Sequence, residues 1–508
     1  MLNTVLNDNF ILIADSYKVP HIAHLPKGTL RSHSNIVARK PFIDKEHGIE
    51  INDVVVLGPQ VVAQILASVK ITDEMIDEAE IEINEQGYDF PRAEWEAIRD
   101  LGYLPLVVRA VPEGTILPIG LPIASIENTV DGFAWLPAYI ETWVQDIIWV
   151  MCTLASKMKW LRKHVDAFTA DTGTDHEYGE YMIHNFGDRG AGGQDRAIMA
   201  AMSHAVFFSG SDCLRGNRYL KKYYLAKGPV LSSVDANEHS TVCANSDCEN
   251  KDDSAAFEMS LKTLERAVER SKRGIGVPVV SCLIDTFDDE RFVKEFLLPN
   301  VERIEEIVGD SGGRYVGRPD SGDAIRKPIQ VVGDWLRNGL RARGIFGTIT
   351  LGDFWHGPKF LGTLQGDGLK LWDFPTMFRL AMTNKLAASN FVFGFGGGFT
   401  NGSTRDDFSF SMKATANQRA DGTWVDLQKD PKSDHGKKSL KGRCTVVLDE
   451  EGKLILGTIA PDVYESCPPE LPVRLGWSSD LSDIMSPIYY NGATIIETFE
   501  KVRERARS

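Results

Sequence analysis

The sequence predicts an α/β protein, with a barrel-like core of parallel strands and helices in the middle of the chain and β-rich segments on both sides of it. Two observations carry this expectation. From about Tyr181 to Gly398, continuous apolar runs alternate with helical patterns, as in a parallel sheet covered by helices. Polar or glycine-rich residues stand at the C-terminal end of each apolar run, where βα-barrels build their active sites.

In the first third, Asp53-Val-Val-Val-Leu-Gly and Leu104-Pro-Leu-Val-Val-Arg-Ala-Val read as strands. Pro112, Gly114, Pro118, Gly120 and Pro122 punctuate a run of short ones. A long helix follows from about Pro137 to Phe168. Ser254 reads as an N-cap, Phe257, Leu261, Leu264 and Val268 follow at helical spacing, and Gly274 ends that helix. Val277-Pro-Val-Val-Ser-Cys-Leu-Ile then runs as a strand into Asp285-Thr-Phe-Asp. The unit recurs. Arg314-Tyr-Val-Gly precedes Arg318-Pro-Asp-Ser-Gly and a helix carrying Ile329, Val332, Trp335 and Leu336. Leu361-Gly-Thr-Leu precedes Gln365-Gly-Asp-Gly, and Asn390-Phe-Val-Phe precedes Gly394-Phe-Gly-Gly-Gly. After about Arg405, short alternating segments such as Cys444-Thr-Val-Val-Leu and Lys453-Leu-Ile-Leu-Gly-Thr-Ile return, either as a separate β-rich part or as one completing the first. The expected division is residues 1–170, 171–400 and 401–508.

The 508 residues are 43% hydrophobic and 25% charged, ordinary globular usage for a chain able to bury a sizeable core. A net charge of −15 argues against a nucleic-acid or membrane-surface partner, so any anionic substrate needs cations concentrated locally. The seven cysteines, Cys152, Cys213, Cys243, Cys248, Cys282, Cys444 and Cys467, include no Cys-x-x-Cys pair and fit a reducing compartment. Cys243 and Cys248 have only His239 nearby, too few ligands for zinc. The N-terminus lacks a basic, apolar leader, and the uncharged run Ile147 to Ser156 is too short to span a bilayer. A cytoplasmic location is expected.

Three loops at successive strand ends carry the chemistry. Gly394-Phe-Gly-Gly-Gly lets backbone N–H groups approach an anion with no Cβ in the way. Gln365-Gly-Asp-Gly sets a carboxylate between glycines. In Arg318-Pro-Asp-Ser-Gly the guanidinium suits a phosphate or carboxylate, while Asp320 can accept hydroxyl hydrogen bonds. Singly, each is a capped βα turn; together they suggest a phosphorylated sugar. Glu238-His239-Ser240-Thr241 reads as a helix start capped by Ser240, in which acidic and hydroxyl neighbours can hold the histidine ring.

These loops belong to an ordered set: Asp15-Ser-Tyr-Lys, Phe186-Gly-x-Arg-Gly, Gly210-Ser-Asp, Glu238-His-Ser-Thr, Asp285-Thr-Phe-Asp, Arg318-Pro-Asp-Ser-Gly, Gln365-Gly-Asp-Gly, Phe395-Gly-Gly-Gly and Thr404-Arg-Asp. In that order and at similar spacings, from about residue 10 to 445, the chain resembles the nicotinamide phosphoribosyltransferase family of type II phosphoribosyltransferases. The resemblance implies an irregular (β/α) barrel beside a β-rich domain formed from the N- and C-terminal parts. It also implies a homodimer with active sites at the interface.

By the same resemblance, Phe186 stacks on one face of the pyridine ring, and Tyr17 of the partner subunit, within the Asp15 motif, on the other. Asp212 accepts a hydrogen bond from the nicotinamide amide. Arg189 and Arg318 line that pocket, with Asp285 close by. Asp320 and Asp367 hold the ribose hydroxyls, and Gly366, Gly396 and Gly397 offer N–H groups to the 5′-phosphate. Arg39, Arg405, Ser411 and Lys413 grip pyrophosphate or ATP phosphates across the dimer; Lys429 and Lys437 match more loosely, and a solvated charge run accounts for them equally well. His239 matches the family's autophosphorylated histidine.

The chain departs from the family in holding Asp188 where an aromatic residue is usual and Lys370 where an acidic one is common. Asp188 so placed brings a repulsive charge to the substrate site. The last sixty residues carry no motif.

The implied reaction joins nicotinamide to C1 of 5-phosphoribosyl 1-pyrophosphate, with Mg²⁺ as cofactor and ATP as co-substrate. Nicotinate phosphoribosyltransferase activity is the near alternative, against which Asp212 argues because a nicotinate site should avoid a carboxylate. A non-catalytic nucleotide-binding dimer is the alternative from another class, but it predicts losses among Asp320, Asp367, His239 and Arg405, and all four are present.

Overall fold

The computed structural model describes residues 7–350, 352–433, 435–459 and 482–508. Two seven-stranded sheets organise these residues. The first is parallel, in the order Asp235–Ala236, Val279–Leu283, Arg314–Arg318, Leu361–Gln365, Phe391–Phe395, Ile183–Asn185 and Gly210–Ser211. A parallel bridge between Gly210 and Ser232, three residues before the first of these strands, ties the two ends together into an irregular barrel. The strands are mostly buried, as a parallel sheet flanked by helices requires. Because they are parallel, all their C-terminal ends open on one side.

The second sheet is antiparallel. Its order is Trp424–Asp426, Ser411–Gln418, Arg31–Val37, Pro122–Asn128, Leu106–Ala110, Ser486–Tyr490 and Ala493–Thr494. Strands from the two ends of the chain therefore complete one β-rich unit. Buried ion pairs reinforce the join: Glu127 receives Arg443 at 3.3 Å, and Arg109 donates to Asp483 at 2.7 Å. The helix Glu141–Asp171 packs against both units, touching the helix Gln194–Ala205 and the strand Asp53–Val55.

Some local expectations shift. A short turn, Leu136–Tyr139, precedes the long helix, which begins at Glu141. Asp253, not Ser254, occupies the N-cap of the helix Ser254–Lys272. Cys444–Leu448 and Leu454–Thr458 pair with each other as a separate hairpin. Of the seven cysteines, Cys467 lies outside the described residues, and the other six are free. Among the described residues no helix is long and apolar enough to cross a membrane.

Candidate active site

His239 opens the helix His239–Asn245 just beyond the strand Asp235–Ala236. Glu238, rather than Ser240, caps that helix: its carboxylate receives the Thr241 N–H, and the Thr241 hydroxyl receives the Glu238 N–H at 3.2 Å. The Ser240 hydroxyl donates to the Glu238 carboxylate. His239 is half-exposed, and its Nε2 stands 3.5 Å from Oδ1 of Asp285, a carboxylate only 3% exposed. The other oxygen of Asp285 accepts the Asp320 N–H at 2.9 Å and the Ser321 hydroxyl at 2.6 Å. One buried carboxylate thus links the histidine to the loop that carries Asp320.

Asp320 lies within electrostatic reach of Arg318, Asp285, Asp367 and His239. Burial raises its carboxyl above the usual range, and Asp285 and Asp367 add to the rise against the opposing pull of Arg318 and His239. Arg318 donates to the Asn237 carbonyl at 2.6 Å, while its Nε is buried without a hydrogen-bond partner. Asp367 is exposed between Gly366 and Gly368.

Phe186 leaves the strand Ile183–Asn185 with its N–H on the Phe395 carbonyl at 3.0 Å. Two glycines make room for its ring. A Cβ at Gly394 would lie 2.0 Å from the ring and one at Gly366 would lie 2.9 Å from it, so any side chain there would displace Phe186. Gly396 precedes the turn Gly397–Thr400, whose first N–H groups have no acceptor within the turn. Asp212 is exposed; its N–H donates to the Asn185 carbonyl at 3.1 Å and its carboxylate accepts the Ser233 hydroxyl. Arg189 is exposed on the loop after Phe186. Behind this end, a cavity of about 820 Å³ runs into the barrel past His184, Val234, Ser281, Val316 and Leu364.

The remaining predicted residues lie on the β-rich unit. Asp15 exchanges hydrogen bonds with Thr142, and Lys18 is buried against Glu141 at 2.6 Å, which fixes the turn that presents Tyr17, 56% exposed. Arg39 donates from Nε to the Ser409 carbonyl at 2.8 Å. Arg39, Ser411 and Lys413 line a cavity of about 450 Å³. Arg405 is half-exposed beside Asp406. Lys429 and Lys437 do not line that cavity; Lys438 and Lys441 do. Sequence reading missed these two because all four lysines lie in one short basic stretch with no periodicity to separate them.

Two chemical environments result. Carboxylates, glycines and a histidine gather at the barrel end, suited to a sugar, a ring and a phosphate approached by backbone. Cations gather on the antiparallel sheet, suited to polyphosphate. No group of three or more His, Cys, Asp or Glu side chains arranged for a metal ion occurs among the described residues.

Comparison with known proteins agrees with this geometry. Residues 181–454 match the nicotinate phosphoribosyltransferase (NAPRTase) family, and residues 9–107 match the nicotinamide phosphoribosyltransferase N-terminal domain. A nicotinamide phosphoribosyltransferase of Xanthomonas campestris pv. campestris (strain 8004) is 30% identical over 505 residues, covering 98% of each chain. One from Acinetobacter baylyi is 32% identical over 372 residues, 70% of each chain. The crystal structure of human nicotinic acid phosphoribosyltransferase shares the fold, with a TM-score of 0.57 at 15% identity over 98% of this chain and 93% of that one. With over half its length matched to one family and a relative aligned almost end to end, the chain belongs to the nicotinate phosphoribosyltransferase family.

Proposed function

We propose that this chain transfers the phosphoribosyl group of 5-phosphoribosyl 1-pyrophosphate to nicotinamide, giving nicotinamide mononucleotide and pyrophosphate for NAD synthesis in the cytoplasm. The carrying observation is Asp212, a carboxylate on the strand end next to that of Phe186. Facing the ring substituent, it accepts an amide N–H and repels the carboxylate of nicotinate. The pyridine nitrogen bonds to C1 as the C1–O bond to pyrophosphate breaks, and the electron pair leaves with pyrophosphate. Positive charge on the ribose is met by Asp320 and Asp367 and negative charge on the leaving group by Arg39, Arg405 and Lys413; such oriented charges act most strongly where water is excluded. Phe186 and Tyr17 orient the ring, so that ring and ribose meet as if in one molecule. Asp320 and Asp367 would hold a magnesium ion beside the pyrophosphate, and such an ion would supply charge neutralisation on the leaving group.

Tyr17 and Lys413 are tied to the long helix and the antiparallel sheet rather than to the barrel end. This supports a homodimer in which each barrel end is completed by the partner subunit. His239 accepts the γ-phosphoryl group of ATP, releasing ADP, and water later removes it; Asp285 holds the ring and stabilises its cationic form.

The deciding experiment gives the purified protein 5-phosphoribosyl 1-pyrophosphate with nicotinamide or nicotinate. Nicotinamide mononucleotide should be the preferred product. The family match over residues 181–454 favours nicotinate as the second reading, and a clear preference for nicotinate would establish it. With ATP, wild-type protein should acquire acid-labile, base-stable phosphate. Folded His239→Ala should not, yet it should keep some ATP-independent transfer; hydrolysis of ATP at the wild-type rate by this variant would end the phosphohistidine assignment.

A further inference from the structure

We propose that Arg215 is a positioning residue for the ring-binding site, acting through an ion pair with Asp188. Its kinetic test rests on the phosphoribosyltransferase reading; its structural test does not.

The loop from Phe186 to Gly193 joins the strand Ile183–Asn185 to the helix Gln194–Ala205 and contains four glycines, at 187, 190, 192 and 193. Glycines lose more conformational freedom on ordering than other residues, so this loop needs fixed points. Its start is held by the Phe186 N–H on the Phe395 carbonyl and the Gly187 N–H on Asn185 Oδ1 at 2.9 Å. The carbonyl of Gly190 accepts the Asn401 amide. One side chain adds an anchor on the loop and a second at the start of the helix that follows it. Arg215 donates from Nη2 to Asp188 at 2.5 Å and from Nη1 to Gln194 Oε1 at 2.8 Å.

Arg215 sits in the first turn of the helix Leu214–Tyr224, three residues after Asp212. Its guanidinium therefore spans the two segments that carry the ring site: Phe186 and Arg189 on one, Asp212 on the other. Asp212 is independently tied to the strand through the Asn185 carbonyl, so the guanidinium sets the place of the glycine loop against a fixed carboxylate. The forked, planar group makes both contacts at once, which an ammonium does not reproduce. This changes the meaning of Asp188. The sequence suggests a repulsive charge beside the substrate, whereas the structure pairs that charge with Arg215. A loop that spends less time in its binding form lowers apparent affinity in proportion.

The test compares Arg215→Ala, Asp188→Asn, the double variant, Arg215→Lys and the reversed pair Asp188→Arg/Arg215→Asp, all with unchanged melting temperatures. Arg215→Ala should raise the KM for nicotinamide roughly tenfold, with kcat within about twofold and the KM for 5-phosphoribosyl 1-pyrophosphate unchanged. The double variant should be no worse than the worse single variant. The reversed pair should recover most of the loss, and Arg215→Lys part of it. Limited proteolysis, which needs no turnover, should cut residues 187–193 faster in Arg215→Ala and Asp188→Asn than in the wild type or the reversed pair. Unaltered proteolysis in folded Arg215→Ala overturns the anchoring. A loosened loop with unchanged KM for nicotinamide overturns the positioning role, as do additive losses in the double variant. Wild-type protein inactive on nicotinamide sinks the proposed reaction while the proteolysis result still decides the anchoring.

Discussion

The end of the barrel and the face of the antiparallel sheet solve opposite problems. At the barrel end, Asp285, Asp320, Asp367 and Asp212 stand within a few loops of one another, and burial makes Asp320 reluctant to ionise. On the sheet, Arg39, Lys413 and Lys441 surround a cavity that none of those carboxylates lines. The reacting molecule has the matching polarity, a sugar that becomes cationic and a pyrophosphate that becomes more anionic. The separation is one of excess rather than of kind, since Arg318 stays within electrostatic reach of Asp320 and Lys413 lies 3.4 Å from Glu141. The excess of each sign is what the transition state meets.

The largest effect should come from breaking the barrel end. Asp320→Ala should reduce nicotinamide mononucleotide formation by about 10³-fold, the scale of removing one oriented charge from a transition state. Its melting temperature should not fall much, because burial and the neighbouring Asp285 and Asp367 already disfavour the charged form of this carboxylate. Mixing this variant with Tyr17→Ala, which damages the other region, should restore about a quarter of wild-type activity, since half of randomly assorted dimers then hold one undamaged site. No recovery in confirmed mixed dimers would put both residues in one subunit's site.

A second test separates stability from catalysis on the β-rich side. Glu113 is fully buried, accepts the Gln60 N–H at 2.6 Å, and is pushed by burial up to about 7. The folded protein holds this proton more tightly than the unfolded chain does. The resulting stability is fully present below the usual carboxyl value of 4.5 and is lost as pH rises through about 7. Glu113→Gln should therefore stabilise the protein at pH 8 by about 3 kcal/mol and by little at pH 4.5, with KM values unchanged. Denaturant unfolding at the two pH values measures it; equal effects at both would remove the ionisation argument.

A smaller effect sharpens the comparison at the ring. Asp212→Asn should raise the KM for nicotinamide roughly tenfold by weakening one charge-assisted hydrogen bond, and should improve the ratio of nicotinate to nicotinamide turnover. An unaltered ratio would detach Asp212 from the ring substituent.

The two regions were unequally legible in the sequence. Strand ends of the barrel announce themselves locally, because an apolar run such as Val279–Leu283 or Leu361–Gln365 passes directly into its functional loop. The glycines that seat Phe186 were visible as glycines, but their purpose was not, since Gly394 and Gly366 meet that ring from strands far away in sequence. The antiparallel sheet was harder. Val37 pairs with Ser411 across more than 370 residues, and no local pattern encodes that register. Capping was misread for the same reason at shorter range: in Glu238-His-Ser-Thr, serine is the commoner cap, yet Glu238 and Thr241 satisfy each other reciprocally. Asp188 was legible as a charge and illegible as half of a pair, because Arg215 lies 27 residues later.

The smallest expected effect concerns which lysines serve the polyphosphate. Lys441 lines the cavity shared by Arg39, Ser411 and Lys413, whereas Lys429 does not line it; that residue's backbone is occupied by a two-way exchange with Ser439, at 2.9 Å in each direction. Lys438 also lines the cavity, but its ammonium is already paired with Asp430 at 2.9 Å, which offsets part of its charge. Among these three, Lys441 should matter most. An exposed cation attracts a polyphosphate weakly, and salt screens it within about 8 Å at physiological ionic strength. Lys441→Ala should therefore raise the KM for 5-phosphoribosyl 1-pyrophosphate by roughly threefold at low salt, with the difference fading at high salt. Lys429→Ala should leave it unchanged at either. Kinetics of both variants across a salt series distinguish the two positions, and a larger loss from Lys429→Ala than from Lys441→Ala would show that the basic stretch meets its ligand in a different arrangement from this one.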